Sequence, residues 1–521
     1  MKKVCLSVFV LIAFLSLLVI PVMAAEPSTE IEQLKGDVQK LLNRIQELEK
    51  KQAESESKVK ETQKKFETVE KAATKLEQEE AKLQEEKKKR AIAYYRDGFF
   101  METPDKQFRL QIGGVLHFDT RVFTNGTSPN SFDIRRARYD MRGNLYTGDI
   151  EHVFRLQVEM ADPIALRNAY WMFKFRPEFN LQIGQFKVPS GGADWLTEEA
   201  HVNFIEYATE RPVQPDFDRG FNIHSFFLGG IIQTNLAMVT GTGYDIDNAA
   251  GDWDDYKNYV GRIMLIPFKK TDNTLIKGLH FAGSYETGLQ TIKTVRGERS
   301  MATESYESNW FRWVPTLADI NERTRYGGEV HWIIGPFAAS YEFNRVQWND
   351  ITTYKAETTK VKDTAGKDVT VNTGKNVVDA RLPGDTHVDV HQVWVSYFLT
   401  GEQKVMEDVF FAWRQPKPKK NFSLKDGTWG AWEVIARYSY KEATKELFDK
   451  GVLDGSRKGH SLTGGLRWIW NPKTRIMLDV NYLKSDAGKG IITNYAAAGV
   501  ANNRAYQKDE SAFLLRLILT P

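Results

Sequence analysis

FDIRRARYDMRGNLYTGDIEHVFRLQVEMADPIALRNAYWMFKFRPEFNLQIGQFK, residues 132–187, carries the fold in its alternation. Ala137, Tyr139, Met141, Gly143 and Leu145 are apolar or small, and Arg136, Arg138, Asp140, Arg142 and Asn144 between them are polar. After Thr147-Gly148-Asp149, Phe154, Leu156, Val158 and Met160 alternate with Arg155, Gln157 and Glu159. Ala169, Trp171, Phe173 and Phe175 then alternate with Asn168, Tyr170, Lys174 and Arg176. Beyond Pro177-Glu178 the pattern resumes at Phe179, Leu181 and Ile183. A period of two marks β-strands with one apolar and one polar face. The strands run to about ten residues, enough to cross a bilayer. A soluble sandwich with a wet face and a membrane barrel with a wet lumen both fit this stretch, and the rest of the chain must choose.

The pattern begins at 108–122, with Leu110, Ile112, Leu116 and Phe118 on one side and Arg109, Gln111, His117, Asp119 and Arg121 on the other. It recurs near 219–228, 231–240, 256–266, 277–289, 323–334, 336–348, 385–399, 429–441, 459–470, 473–484 and 509–519, which makes sixteen strands with the four above. Connections after odd strands are mostly long (189–218, 241–255, 290–322, 349–384), and those after even strands are mostly tight, such as Gly229-Gly230 and Asn471-Pro472. This asymmetry belongs to outer-membrane barrels, whose outer loops are long and periplasmic turns short. The exception, 400–428, reads as a periplasmic excursion. Trp310, Trp313, Trp332, Trp348, Trp394, Trp429, Trp432, Trp468 and Trp470 stand near strand ends, as interface girdles would. The expected fold is all-β: a sixteen-stranded antiparallel transmembrane β-barrel over 107–521, after a linker at 93–106.

Residues 1–25 read as a signal peptide: Lys2 and Lys3, an apolar run, then Val22-Met23-Ala24. The only cysteine, Cys5, lies there, so the mature chain holds no disulfide and no cysteine chemistry. Residues 31–83 keep a heptad register, with Ile31, Val38, Ile45, Val59 and Phe66 at one position and Leu34, Leu41, Leu48, Val69, Leu76 and Leu83 at its partner. That predicts an α-helical coiled coil within 26–92, outside the membrane because of its charge, and the expected compartment is the periplasm. The basic run 87–90 reads as a solvated helix end; a secreted chain meets no nucleic acid.

Several stretches now line up: FDIRRAR at 132–138, IGQFKVP at 183–189, Glu210-Arg211-Pro212, Asp218-Arg219-Gly220, Leu399-Thr400-Gly401-Glu402 and GAWEVIARYS at 430–439. Through them the chain resembles the phosphate-selective porin O and P family. The resemblance implies a homotrimeric channel in the outer membrane of a Gram-negative-type bacterium, its third outer loop folded into the pore. It also puts phosphate among the solutes to be considered.

Alternation places Arg109, Arg121, Arg136, Arg138, Arg142, Arg155, Lys174 and Arg176 on the lumen side of the early strands, and Arg437, Arg467, Arg475 and Arg516 on that of the last. A wall of guanidiniums in a narrow pore attracts anions; alternatively it pairs with acids and holds the inward loop. That loop carries Asp194, Glu198, Glu199, Glu206, Glu210, Asp216 and Asp218 against Arg211 alone. The expectation is a basic wall and an acidic loop facing each other across water, giving modest anion preference without a tight phosphate site. Asp245, Asp247, Asp252, Asp254 and Asp255 read as a solvated acidic loop, and His331, His387 and His391 as lumen histidines. No cofactor or metal is expected, and no G-x-S-x-G, H-E-x-x-H or P-loop marks an enzyme. Expected partners are outer-membrane lipid, small anionic or polar solutes, sister protomers and, through the coiled coil, the cell wall. The rival reading is an envelope tether whose barrel is mainly an anchor.

Overall fold

The structure is a computed structural model. It describes residues 29–520 except 96–97, 126–127, 162–163, 209–211, 242–254, 291–299, 316, 363, 365–366, 408–410 and 494–504. The expected signal peptide, and Asp245, Asp247, Asp252 and Asp254, lie outside the described residues. The chain divides after Lys89 into two units, each described by itself.

The first unit holds one helix, α1 (Thr29–Lys89), of 61 residues. At about 1.5 Å per residue it is roughly 90 Å long. Lys, Glu and Gln favour it intrinsically, and pairs such as Lys51–Glu47 and Lys65–Glu61 brace it at one-turn spacing. Leu34, Leu41, Leu48, Val59, Phe66, Val69, Leu76 and Leu83 are all exposed along it.

In the second unit, sixteen antiparallel strands close on themselves. They are β1 (Phe108–Phe123), β2 (Ser131–Thr147), β3 (Ile150–Glu159), β4 (Ala165–Arg176), β5 (Phe179–Lys187), β6 (Phe217–Phe227), β7 (Ile232–Val239) and β8 (Asn258–Leu265). Then come β9 (Leu279–Gln290), β10 (Leu317–Ile334), β11 (Phe337–Lys362), β12 (Asp368–Phe398), β13 (Ala431–Ala443), β14 (Leu453–Asn471), β15 (Thr474–Gly488) and β16 (Asp509–Leu519). Each pairs with the next, and β16 returns to β1 from Ala512↔Phe123 to Leu519↔Leu116. Closure leaves no unpaired strand edge to meet lipid.

The pattern is inside-out for a water-soluble protein. Tyr139, Trp171, Ile183, Phe221, Leu236, Ile263, Tyr285, Val393, Val480 and Leu515 are exposed, whereas Arg138, Asp140, Gln157, Asn222, Glu286, Ser439 and Arg516 are buried. Rings of Phe108, Phe154 and Trp171 stack along the outer wall at the tight-turn end. The Phe154 ring lies over Gly143, where a Cβ would come within 2.2 Å of it.

Five expectations need correction. Residues 93–106 are not a bare linker: the hairpin Ile92–Tyr95 and Phe99–Glu102 adds to β1 from Phe99↔Ile112 to Glu102↔Arg109. It occupies the flank of β1 that β16 is too short to reach. Secondly, most of 349–384 is strand, not loop. β11 and β12 run on from Ile351↔Leu382 to Lys362↔Asp368, a ribbon buried at its base, exposed from Lys355↔Val377 outward and roughly 40 Å long at about 3.3 Å per residue. Thirdly, Trp310, Trp313, Trp348 and Trp394 are no girdle, because they are buried inside. The first three belong to an apolar core with Val346, Val388 and Val390. Fourthly, that core turns β12 the other way: Val388 and Val390 point inward, so His387 and His391 face outward, His391 beside Tyr341 and Phe343. Lastly, 400–428 is no mere excursion. Phe411, Ala412 and Trp413 are buried, and Trp413 packs against Trp394 and His331 of the lumen.

Candidate functional site: a loop moored across the lumen

Residues 188–208 and 212–216, between β5 and β6, enter the barrel. Val188, Ala193, Trp195, Leu196, Val202, Phe204, Ile205 and Val213 are all buried there. Phe204 packs with Ile333, Trp394 and Trp413, and Ile205 with Val115, Met477 and Leu514. The turn into the lumen needs glycine. Gly191 has φ +91°, and a Cβ on Gly192 would lie 1.8 Å from Glu342 Oε2.

Polar contacts then moor the loop around the wall. Arg262 on β8 donates to the Gly191 carbonyl at 2.6 Å. Ala193 N–H donates to Glu329 on β10 at 2.7 Å, and Asp194 N–H to Glu342 on β11 at 3.0 Å. Gln392 on β12 reaches Asp194 at 3.1 Å. Arg437, Arg467 and Arg475 all donate to loop carbonyls, those of Glu206, Asn203 and Ala200, at 3.0, 2.8 and 3.1 Å. Ile205 N–H donates to Asp479 on β15 at 2.8 Å. Backbone groups that would be unpaired in a lumen are thereby satisfied.

The loop acids meet the arginine wall directly. Glu206 accepts from Arg135 at 2.9 Å, Arg516 at 2.9 Å and Arg121 at 3.1 Å. Glu199 lies 3.2 Å from Arg138 and 3.5 Å from Arg136. Glu198 meets Arg142 at 3.0 Å and Arg155 at 2.8 Å. Asp119, Asp140 and Glu159 of the wall complete the network. Burial alone would raise Glu206, but Arg135, Arg516 and Arg121 hold it at about 2. Glu198 and Glu199 likewise sit well below the usual carboxylate range: burial is outweighed by Arg155 and Arg142 for one, Arg136 and Arg138 for the other. Asp194, bound by the neutral amides of Asn203 and Gln392, is instead raised by burial. The expected water gap between wall and loop is therefore filled by ion pairs.

The other candidates divide. Arg109 stacks on Phe100 of the added hairpin at 4.4 Å. Lys174 pairs with Glu151 at 3.2 Å, and Arg176 is exposed at the tight-turn rim. Asp216 faces Arg167 at 3.8 Å. Asp218 belongs to β6 rather than the loop, and its carboxylate accepts from Gly241 N–H at 2.7 Å. Glu210 and Arg211 lie outside the described residues.

Three contributors escaped the alternation. At β2 the register slips, His117 opposing Arg136 and Phe118 opposing Ile134. Arg135 is the extra residue of this bulge, and it turns inward to Glu206 beside Arg136. Residues 301–313 also fold in: Glu304 accepts from Ser439 at 2.8 Å and pairs with Lys441 at 2.5 Å. Residues 404–407 and 411–414 enter from the tight-turn end, where Lys404 pairs with Glu433 and bonds Asn203, both at 2.7 Å, and Trp413 N–H donates to Thr197 at 2.8 Å. Polar sequence hid that segment, and its one signal is Phe410-Phe411-Ala412-Trp413.

One cavity of about 780 Å³ remains between the inward faces of β2–β6, the loop and the 404–414 segment. Seven Lys or Arg side chains line it against three carboxylates. Among the described residues, Glu329, His331 and Glu342 are the group close enough to hold a metal, with ligand atoms within 4.8 Å. Glu329 is already bonded to Ala193, His331 and Arg262, and Glu342 to Asp194 and Gln392, so the cluster is spent on mooring.

None of the curated proteins matches this chain. Solved structures similar to it are the anion-selective porin from Comamonas acidovorans (11% identity, covering 80% of this chain and 100% of that one, TM-score 0.45) and in-vitro folded OmpT of Vibrio cholerae (11%, 80% and 98%, TM-score 0.44). Salmonella typhi OmpF in complex with daunomycin is another (9%, 82% and 100%, TM-score 0.43). The family model for phosphate-selective porin O and P matches residues 108–490, well over half of the chain. With its closed barrel, lipid-facing apolar wall and obstructed polar lumen, the chain belongs to that family of outer-membrane porins.

Proposed function

We propose that the protein passes small polar and anionic solutes by passive diffusion around the moored loop, with modest anion preference and no tight phosphate site. The observation that carries this reading is the cavity, where seven cationic side chains outnumber three carboxylates. A poorly screened passage of that sign enriches anions. Tight phosphate binding would need free guanidinium forks, whereas Arg136, Arg138 and Arg155 are engaged with Glu159, Glu199, Asp140 and Glu198. The pore-lining basic residues thus act as a general field and as moorings. The test is a planar bilayer with a KCl gradient. The expected reversal potential favours chloride, and phosphate reduces the current only at millimolar concentration. Block by micromolar phosphate, or clear cation selectivity, would overturn it.

The domain plan that goes with this reading is a cleaved signal at 1–25, a periplasmic coiled coil within 26–92 and a barrel that assembles as a homotrimer in lipid. The exposed heptad stripe of α1 supports self-association. The same helix, roughly 90 Å long, also favours a second reading, a tether reaching the cell wall. Deleting 26–92 separates them. A tether loses envelope attachment while the barrel still conducts; a porin with a stalk keeps its conductance and its attachment.

A further inference from the structure

The lumen face of a water-filled barrel is ordinarily polar. Along β3–β6 of this one, apolar side chains interrupt polar ones such as Arg155, Gln157, Asn168, Asn180, Gln182 and His224. Val153, Tyr170, Met172, Phe186 and Phe217 line the cavity, and Leu196 of the moored loop lines it with them. Met172, Phe186 and Phe217 are buried side chains. Met172 breaks the polar run of β4, between Tyr170 and Lys174. Phe186 and Tyr170 pack with Val188 where the loop begins, whereas Val153 and Met172 make none of the loop's mooring contacts.

Cations line the same cavity. The side chains of Arg142, Lys174 and Arg414 are 43%, 41% and 52% exposed. Each has a carboxylate partner, yet each side chain stays partly exposed on the cavity wall, and Arg176 joins them at the rim. An arginine fork suits a carboxylate, which it can hold through two parallel hydrogen bonds. A volume of about 780 Å³ suits a small organic molecule rather than a bare ion.

We propose that this cavity is a binding site for amphipathic organic anions, a carboxylate joined to an aromatic or aliphatic body. The proposal rests on the porin reading and specifies its solute class. An inorganic anion gains nothing from the apolar wall. A neutral apolar molecule leaves the cations without a counter-charge. An organic carboxylate engages both.

The experiment uses the full-length protein in a planar bilayer with KCl. Benzoate, acetate, benzamide and inorganic phosphate are added in turn at matched concentration. Benzoate should reduce the chloride current in a saturable way, with half-effect at a concentration about tenfold below that of acetate or benzamide. Met172→Ser should raise the benzoate half-effect about tenfold, as losing two or so buried methylene-sized groups would. Met172→Leu, which keeps the apolar surface, should restore it. Heat-modifiable migration on gels checks that each barrel is folded. Equal responses to benzoate and acetate, or stronger block by phosphate than by benzoate, would overturn the proposal and leave the channel standing. An absence of chloride current altogether would remove both.

Discussion

Glu206 meets three arginines in the lumen, and it sets a test by pH. Its folded pKa of about 2 lies below the 4.5 of an ordinary glutamate. A depressed carboxylate contributes stability that is complete above the unfolded value and fades as pH falls through the folded one. The contribution of Glu206 to the mooring should therefore hold unchanged from pH 7 to about 4.5, weaken below that and be lost near pH 2. Single-channel conductance measured across that range should stay flat and then jump. Glu206→Gln should bring the change to neutral pH, since it takes one carboxylate from Arg121, Arg135 and Arg516 at once. Breaking a buried ion pair from one side costs roughly 3–5 kcal/mol, which should appear as earlier thermal unfolding in detergent and a stronger chloride preference. Little of this was legible beforehand. The lumen side of Arg121 follows from alternation, but Arg135 breaks it, because a bulge adds a residue that the period of two cannot foresee. Met172 is the opposite case, an apolar side chain on a face that the same rule marks as polar.

The moored loop is held by backbone as much as by charge, so a single methyl group should dislodge it. Gly192→Ala drives a Cβ into Glu342, whose carboxylate is fixed by Asp194 N–H and Gln392 and cannot swing away. Conductance should rise and the openings become noisier, while the strands stay protected in amide exchange. Shortening 403–415 to a tight turn should also raise conductance, because it removes Lys404, Phe411 and Trp413 from the lumen. Strands were legible because each must present lipid with apolar residues at every second position. Inward-folding segments obey no such rule. They see neither lipid nor bulk water, so 301–313 and 404–414 look in sequence like ordinary surface loops. His387 and His391 mislead for a related reason: toward the long-loop end, the inside of the wall packs an apolar core, and the two faces exchange character.

Across the whole molecule, wall and loop share one set of bonds. The last strand meets the first where Arg516 opposes Asp119, with contacts of 2.7 Å from both Nε and Nη2. Arg516 also reaches Glu206 and the carbonyl of Ile205, both in the loop. Arg516→Gln should therefore do two things together: lower the temperature at which the folded band disappears on gels, and widen the channel. A change in only one of them would show that seam and loop are independent.

That junction bears on how the channel comes into being. Arg516 can satisfy its partners only when the cylinder is complete and its obstruction is in place. A half-built sheet has an open side and is not yet a hole; a finished one already holds its sieve. Sealing the wall and seating its sieve therefore draw on one guanidinium, and a cylinder sealed around an empty bore would leave Arg516 without Glu206 and the Ile205 carbonyl.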